Sequence, residues 1–404
     1  MMEPLKIKKI YKVIKGNIQI TGSKSETNRL LVLQQFYPNL TIENISNSDD
    51  SELMQKALKS NSSEINIGHA GTAMRFLTAY FSVKEGREIV LTGSHRMKDR
   101  PVKILVEALT SLGANIHYLE KEGFPPLKIS GKKLTKDFVE IEGNVSSQYI
   151  SALLLIAPTL QNGLKLKFKG EVTSVPYIKM TLQLLAELGI DYVWEGNLIA
   201  VKPKPTIETK TVTVESDWSS ASYFYSLCAL SPNSEITLSS YKKNSLQGDS
   251  ALAVIYENLG VSTESNENNI ILKNSQTLNL KPLTLNLINA PDIAQTIAVT
   301  CFGLGIECYL TGLHTLKIKE TDRLVALKTE IEKLGGEVII TNETLHLKPS
   351  TNINENISIA TYDDHRMAMA FAPLAVKVAI EIEDAGVVSK SYPTFWEDFD
   401  QISR

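Results

Sequence analysis

The densest chemistry in this chain lies in Lys317-Ile318-Lys319-Glu320-Thr321-Asp322-Arg323-Leu324, which packs five charges into seven residues ahead of an apolar helical pattern. Lys319 beside Glu320 is a pair that can pass protons once burial tunes it. The same residues would also serve as an exposed, salt-bridged helix end. Thr361 to Ala370, TYDDHRMAMA, sets His365 and Arg366 together at the start of an apolar helix. Asp292, after Pro291, is either a partner carboxylate or an N-cap. Thr21 to Arg29, TGSKSETNR, joins Gly22, two serines, Lys24 and Arg29 at a strand-to-helix turn. Backbone N–H groups there can hold phosphate oxygens, but the P-loop spacing is absent. Gly68-His69-Ala70-Gly71-Thr72-Ala73-Met74-Arg75 has two glycines that let a ligand approach the backbone. His95-Arg96-Met97-Lys98-Asp99-Arg100-Pro101 is a cationic loop that ends with Pro at a helix start. Ser146, Ser147 and Gln148, with Ser174 and Tyr177, offer hydroxyls and an amide to an anionic polyol. Lys390 taken alone is an ordinary lysine.

These segments share a position in a repeated element. A helix ending in Leu-Gly recurs at Leu112-Gly113, Leu188-Gly189, Leu259-Gly260 and Leu334-Gly335, at intervals of roughly 71–76 residues. Each Gly suits a left-handed helix stop. Alternating strands joined by polar turns follow, as in Tyr192 to Ala200 and Val338 to Leu347, and read as β-hairpins. A second set of helices starts after strands, near Ser23, Ala70, Ser146, Asp217, Asp292 and Asp364. Anion groups gather at those starts because a helix N-terminus carries free N–H groups and partial positive charge. The pattern predicts an α/β protein of six βαβαββ-type units, the first abbreviated. Three units would form each of two domains: residues 1–21 with 215–404, and residues 22–214.

Composition removes several classes. The chain has 404 residues, 43 % hydrophobic and 22 % charged, and a net charge of −3. A strongly basic nucleic-acid surface is not expected, and 7 % aromatic content argues against stacking platforms for single strands. The apolar run from Tyr149 to Leu160 is too short to cross a bilayer. The segment MMEPLKIKKIYKVIKG lacks an apolar core, so no secretory leader is expected. Cys228, Cys301 and Cys308 form no CxxC pair and read as buried thiols of a reducing, cytoplasmic compartment.

Taken in order, GSKSxTNR, AGTAMR, RMKDRP, SSQ, KETDRL and DHRMAMA make nearly the whole chain resemble the EPSP synthase family of enolpyruvyl transferases. The resemblance implies two domains of the inverse α/β barrel type that close over substrates bound in the cleft between them. It implies transfer of enolpyruvate from phosphoenolpyruvate to the 5-hydroxyl of shikimate 3-phosphate. Carried across, Lys24, Gly71, Arg100, Gln148, Arg323, Arg366 and Lys390 would surround phosphoenolpyruvate. Lys24, Ser25, Arg29, Ser146, Ser147, Gln148, Ser174 and Tyr177 would hold shikimate 3-phosphate together with Asp292 and Lys319. Asp292, Lys319 and Glu320 would sit at the reacting centre, with Glu320 as acid toward the methylene carbon. Thr72, Arg75 and His365 would support them. The chemistry needs no metal and no organic cofactor, and a monomer is implied. His69 stands where members of that family usually carry Asn, and Phe76 and Thr315 stand where some members carry Pro and Asn. Seven cations in one site would repel each other when empty, which favours an open form without ligand. Two other readings remain. The sister transferase acting on UDP-N-acetylglucosamine would carry a reactive Cys in the loop near Arg96 to Pro101, where none occurs. A non-catalytic nucleotide- or RNA-binding protein on the same repeats would need a basic surface.

Overall fold

The computed structural model describes residues 4–274 and 281–403. The chain divides into two compact units, Met1–Thr21 with Glu215–Arg404, and Gly22–Val214. Each unit is assembled from the same part: a strand, a helix, a parallel strand and then, in full copies, an antiparallel hairpin. In Gly22–Val214, strand Glu64–Asn66 pairs parallel with Glu88–Thr92 across the helix Gly71–Val83. Hairpin Asn115–Tyr118/Leu127–Ser130 completes that sheet. Strand Phe138–Glu142, helix Ser147–Ile156, strand Leu164–Lys169 and hairpin Tyr192–Glu195/Leu198–Val201 repeat the pattern. In the other unit, Leu283–Asn286, helix Ala294–Leu304, Cys308–Thr311 and hairpin Val338–Ile340/Leu345–Leu347 do the same. A fourth full sheet joins Lys15–Ile18, Glu235–Ser239, Asn269–Asn274 and Val261–Ser265.

The four Leu-Gly stops belong to these four sheets. Gly113, Gly189, Gly260 and Gly335 all have positive φ, from 73° to 106°, where a Cβ would be strained. Two sheets are reduced, where one abbreviated unit was expected. The first has only Leu40–Glu43 against Lys210–Thr213. The last pairs Ile357–Ile359 with Ile380–Ile382 and takes Leu5–Ile7 from the far end of the chain as its third strand.

The helices that follow the first strands are buried nearly all round, which explains their weak amphipathic period. In Trp218–Leu230 only Ser219 escapes full burial, and His365–Phe371 is buried throughout. In Gly71–Val83 only Thr72 and Val83 escape, and in Ser147–Ile156 only Ser147 and Gln148. The interior helices therefore surface chiefly at their N-terminal turns, where the candidate chemistry lies. Between Trp218–Leu230 and Ala294–Leu304 a hydroxyl seam is satisfied internally: Ser222 meets Thr296 at 2.9 Å and Ser226 accepts from Thr300 at 2.7 Å. Among the described residues no helix is long and apolar enough to cross a membrane.

Candidate active site

In the unit Met1–Thr21 with Glu215–Arg404, three helix starts converge on one ion-pair network. Asp292 sits in the single turn Pro291–Ile293 that feeds helix Ala294–Leu304. Its carboxylate lies 3.3 Å from Lys319 Nζ, 3.0 Å from Arg323 Nη1 and 3.2 Å from Arg366 Nη2. Glu320 accepts from Arg323 Nη2 at 2.8 Å and from Lys390 Nζ at 2.7 Å. Arg323, at the start of helix Arg323–Lys333, is 1 % exposed. A cation that deep requires paired acceptors, and Asp364 supplies a third carboxylate at 2.6 Å from Nε. Asp364 also caps helix His365–Phe371 by accepting from Arg366 N–H at 2.9 Å. His365 is buried with Nδ1 3.8 Å from Asp364 Oδ1. Four of the seven expected cations are thus paired with three carboxylates, which leaves one net positive charge among them, so their repulsion is smaller than a count of cations implies.

This setting fixes protonation. Burial pushes the Asp292 carboxyl upward, but Arg366, Lys319 and Arg323 outweigh it and hold it well below the usual range. Glu320 behaves alike: burial raises it, and Arg323, Lys390 and His365 bring it well below. The lysines and arginines that depress both carboxyls are their hydrogen-bond and ion-pair partners, Lys390 being the one that reaches Glu320 alone. Asp249 behaves oppositely. It is buried, Oδ1 finds no hydrogen-bond partner among the described residues, and Oδ2 accepts from Ser219 Oγ. Burial first, and the Asp292 charge second, raise it to about 7. Ser219 Oγ also accepts from Arg366 Nη2 at 3.3 Å, tying Asp249 to the same cluster.

In Gly22–Val214 the anion-type residues also lie at helix starts. Lys24 opens helix Lys24–Phe36, with Nζ 3.6 Å from Asp50 Oδ2. Gly22 precedes it because an added Cβ would stand 1.8 Å from the Asn44 carbonyl oxygen. Arg29 is buried, and burial lowers its guanidinium to about 10. It donates to Thr181 Oγ1 at 2.7 Å, Ser151 Oγ at 3.0 Å, the Ser25 carbonyl at 2.7 Å and the Tyr177 carbonyl at 3.4 Å. Its charge lies 5.3 Å from the Phe76 ring, so Arg29 orders the backbone of Ser25 and Tyr177 from inside the unit. Gly71 begins its helix against Arg100; a Cβ there would be 2.5 Å from Arg100 Nη1. Arg75 braces this corner by donating to the Gly71 carbonyl at 3.1 Å and the Pro101 carbonyl at 2.9 Å. Gln148 Nε2 donates to Thr72 Oγ1 at 3.2 Å, which joins two helix starts. Ser146 caps its own helix through Gln148 N–H, and Ser147 follows half-buried. Ser174 holds φ at +53° before helix Val175–Glu187, which carries Tyr177. His69 Nδ1 sits 2.9 Å from Ser94 Oγ. Thr315 Oγ1 is buried with no partner among the described residues.

A family model described as EPSP synthase (3-phosphoshikimate 1-carboxyvinyltransferase) matches residues 57–399. The chain belongs to this family. A 3-phosphoshikimate 1-carboxyvinyltransferase of Bacteroides fragilis is 47 % identical over 390 residues, covering 95 % of this chain and 94 % of that protein. One from Histophilus somni is 35 % identical over 437 residues and covers all of both chains. Among solved structures, EPSP synthase from Acinetobacter baumannii superposes with a TM-score of 0.82 at 21 % identity, covering 98 % of this chain and 97 % of that one. The enolpyruvyl transferase NikO of Streptomyces tendae gives 0.75 at 14 %, covering 99 % of this chain and 97 % of that one. The last two establish the enolpyruvyl transferase fold.

Within this EPSP synthase family member, sequence reasoning missed Asp364, Asp249, Ser219 and Asp50. Asp364 had a usable signal, since it precedes His365-Arg366 at a helix start. Asp249 and Asp50 had none, because their importance lies in partners 30 or so residues away that only folding supplies.

Proposed function

We propose that this chain transfers the enolpyruvyl group of phosphoenolpyruvate to the 5-hydroxyl of shikimate 3-phosphate, giving 5-enolpyruvylshikimate 3-phosphate and phosphate. Family membership and the paired network around Arg323 carry the reading. In the first step the hydroxyl oxygen bonds to C2 of phosphoenolpyruvate, the enol carbon that carries the phosphate. Its proton leaves, and another adds to the methylene carbon. In the second step the bond to phosphate oxygen breaks, a proton leaves the new methyl group, and the double bond re-forms.

Asp292 is an anion backed by Lys319, so it is suited to take the hydroxyl proton. Glu320, which accepts from Lys390 Nζ at 2.7 Å, would form with it one acid/base couple that delivers the proton to the methylene carbon. Arg323 is walled in by three carboxylates, so its role is to keep Asp292 and Glu320 ionised and aligned. Lys24, Arg100, Arg366 and Gln148, with the Gly71 turn, would hold the anionic groups of phosphoenolpyruvate. Ser25, Ser146, Ser147, Ser174 and Tyr177 would hold shikimate 3-phosphate, with Arg29 ordering them. A cytoplasmic monomer without a nucleic-acid partner fits the net charge of −3 and the three buried free thiols.

The test is phosphate release from phosphoenolpyruvate with and without shikimate 3-phosphate, for the parent and for Glu320→Ala. Release that requires shikimate 3-phosphate and drops by about 10²–10⁴-fold in the variant supports the reaction and the site. Release that follows UDP-N-acetylglucosamine instead moves the acceptor assignment to the sister reaction. Folded protein that releases phosphate with neither acceptor refutes enolpyruvyl transfer.

A further inference from the structure

Glu330 is a buried carboxylate that the reaction above does not use. It lies seven residues after Arg323 in helix Arg323–Lys333, so both occupy one face, two turns apart. Both are essentially inaccessible, at 0 % and 1 % exposure. Glu330 Oε1 accepts from Tyr362 Oη at 2.6 Å, and Oε2 accepts from Ala360 N–H at 3.1 Å. Lys333 Nζ balances the charge at 2.8 Å and donates onward to the Ser358 carbonyl at 3.4 Å.

The segment Glu330 grips is the turn that delivers Asp364. Tyr362 and Asp363 are consecutive non-glycine residues with φ of +55° and +54°. Side chains with a Cβ rarely adopt that conformation, and two in succession persist only where surrounding contacts impose it. The turn returns through Asp364 N–H to the Thr361 carbonyl at 2.9 Å. Immediately after it, Asp364 meets Arg323 at 2.6 Å and caps the helix that carries Arg366. One helix therefore holds the strained turn at both ends: Glu330 at Ala360 and Tyr362, Arg323 at Asp364.

We infer that Glu330 is a positioning residue, acting through the left-handed Tyr362–Asp363 turn to hold Asp364 on Arg323 and Arg366 on Asp292. Without the latch the turn relaxes toward negative φ, and Asp364 and the start of the Arg366 helix shift together. Arg366 then leaves Asp292, which loses the largest of the positive charges that keep it ionised. The inference builds on the enolpyruvyl-transfer reading, because Asp292 and Arg366 are placed in that reaction.

Two variants test it. Tyr362→Phe removes one hydrogen bond from a ring that is 37 % exposed, so the fold should survive. Glu330→Gln keeps the shape but replaces one acceptor oxygen with a donor. Steady-state phosphate release should show kcat lowered at least about tenfold in both, the effect of a displaced catalytic group. The acid limb of the pH profile should move to higher pH as Asp292 loses Arg366. A merely structural latch would lower the unfolding temperature and leave both readouts unchanged, and that result in folded Tyr362→Phe overturns the inference. If the parent itself shows no transfer, that reading fails on its own, and amide exchange across residues 360–366 decides. Faster exchange in both variants then supports the latch, and parental exchange rejects it.

Discussion

Truncating Asp364 should disable the network from its most deeply buried anion. Its carboxylate is fully buried, meets Arg323 Nε at 2.6 Å and caps the following helix at 2.9 Å. Removing one partner of a buried ion pair costs about 3–5 kcal/mol, and losing an N-cap costs about 1 kcal/mol. Arg323 keeps Glu320 at 2.8 Å and Asp292 at 3.0 Å, which argues for the lower end. Asp364→Ala should therefore destabilise the unit containing Glu215–Arg404 by about 3–4 kcal/mol. A domain of this size loses about 2–4 °C per kcal/mol, so its transition should fall by roughly 6–16 °C. Asp364→Asn retains a good cap acceptor and should recover about 1 kcal/mol of that loss. Differential scanning calorimetry of the parent and both variants measures the series. A transition for Asp364→Ala within ~2 °C of the parent would refute the claim that Arg323 depends on this carboxylate.

Gly71→Ala puts a methyl group 2.5 Å from Arg100 Nη1, so the guanidinium must retreat by about 1 Å to reach normal contact. Arg100 is a flexible, half-buried side chain, so the unfolding temperature should hold. The KM for phosphoenolpyruvate should rise about tenfold with kcat less affected, and an unchanged KM contradicts the packing argument. Asp249→Asn tests the raised carboxyl. A folded value of about 7 against an unfolded value near 3.9 means stability is fully present below pH ~4 and is lost as pH rises through 7. The variant should therefore gain on the parent between pH 5 and 8, by a few kcal/mol at most, in urea unfolding at the two pH values. A constant difference across that range would show that Asp249 is ionised throughout.

Much of the fold was legible because its signals are local. Leu-Gly at 112, 188, 259 and 334 names a helix stop and the hairpin after it, and the glycines adopt the left-handed conformation that makes the stop. The interior helices were found from their capping starts, since burial on all sides removes the apolar period. The reduced last sheet was not legible: its third strand is Leu5–Ile7, and nothing in three residues near the N-terminus announces pairing with Ile380–Ile382. In the site, Arg29 and Arg323 read identically as motif cations, and nothing near them in sequence tells which protein groups they pair with. Both are interior side chains satisfied by the protein, Arg29 by partners up to 152 residues away and Arg323 by Asp364 41 residues on.

By itself the sequence determined where the interior helices begin, the motif residues that stand at those starts and which family the set resembles. Those properties rest on caps, glycine stops and spacing, which act within a few residues. Tertiary structure decided which carboxylate meets which cation, and from that which groups are charged. Arg323, Lys390 and His365 bring the buried Glu320 carboxyl well below its usual range, while burial and the Asp292 charge push Asp249 up to about 7. Protonation follows burial and the distance to opposite charge, and both exist only after distant segments have packed together.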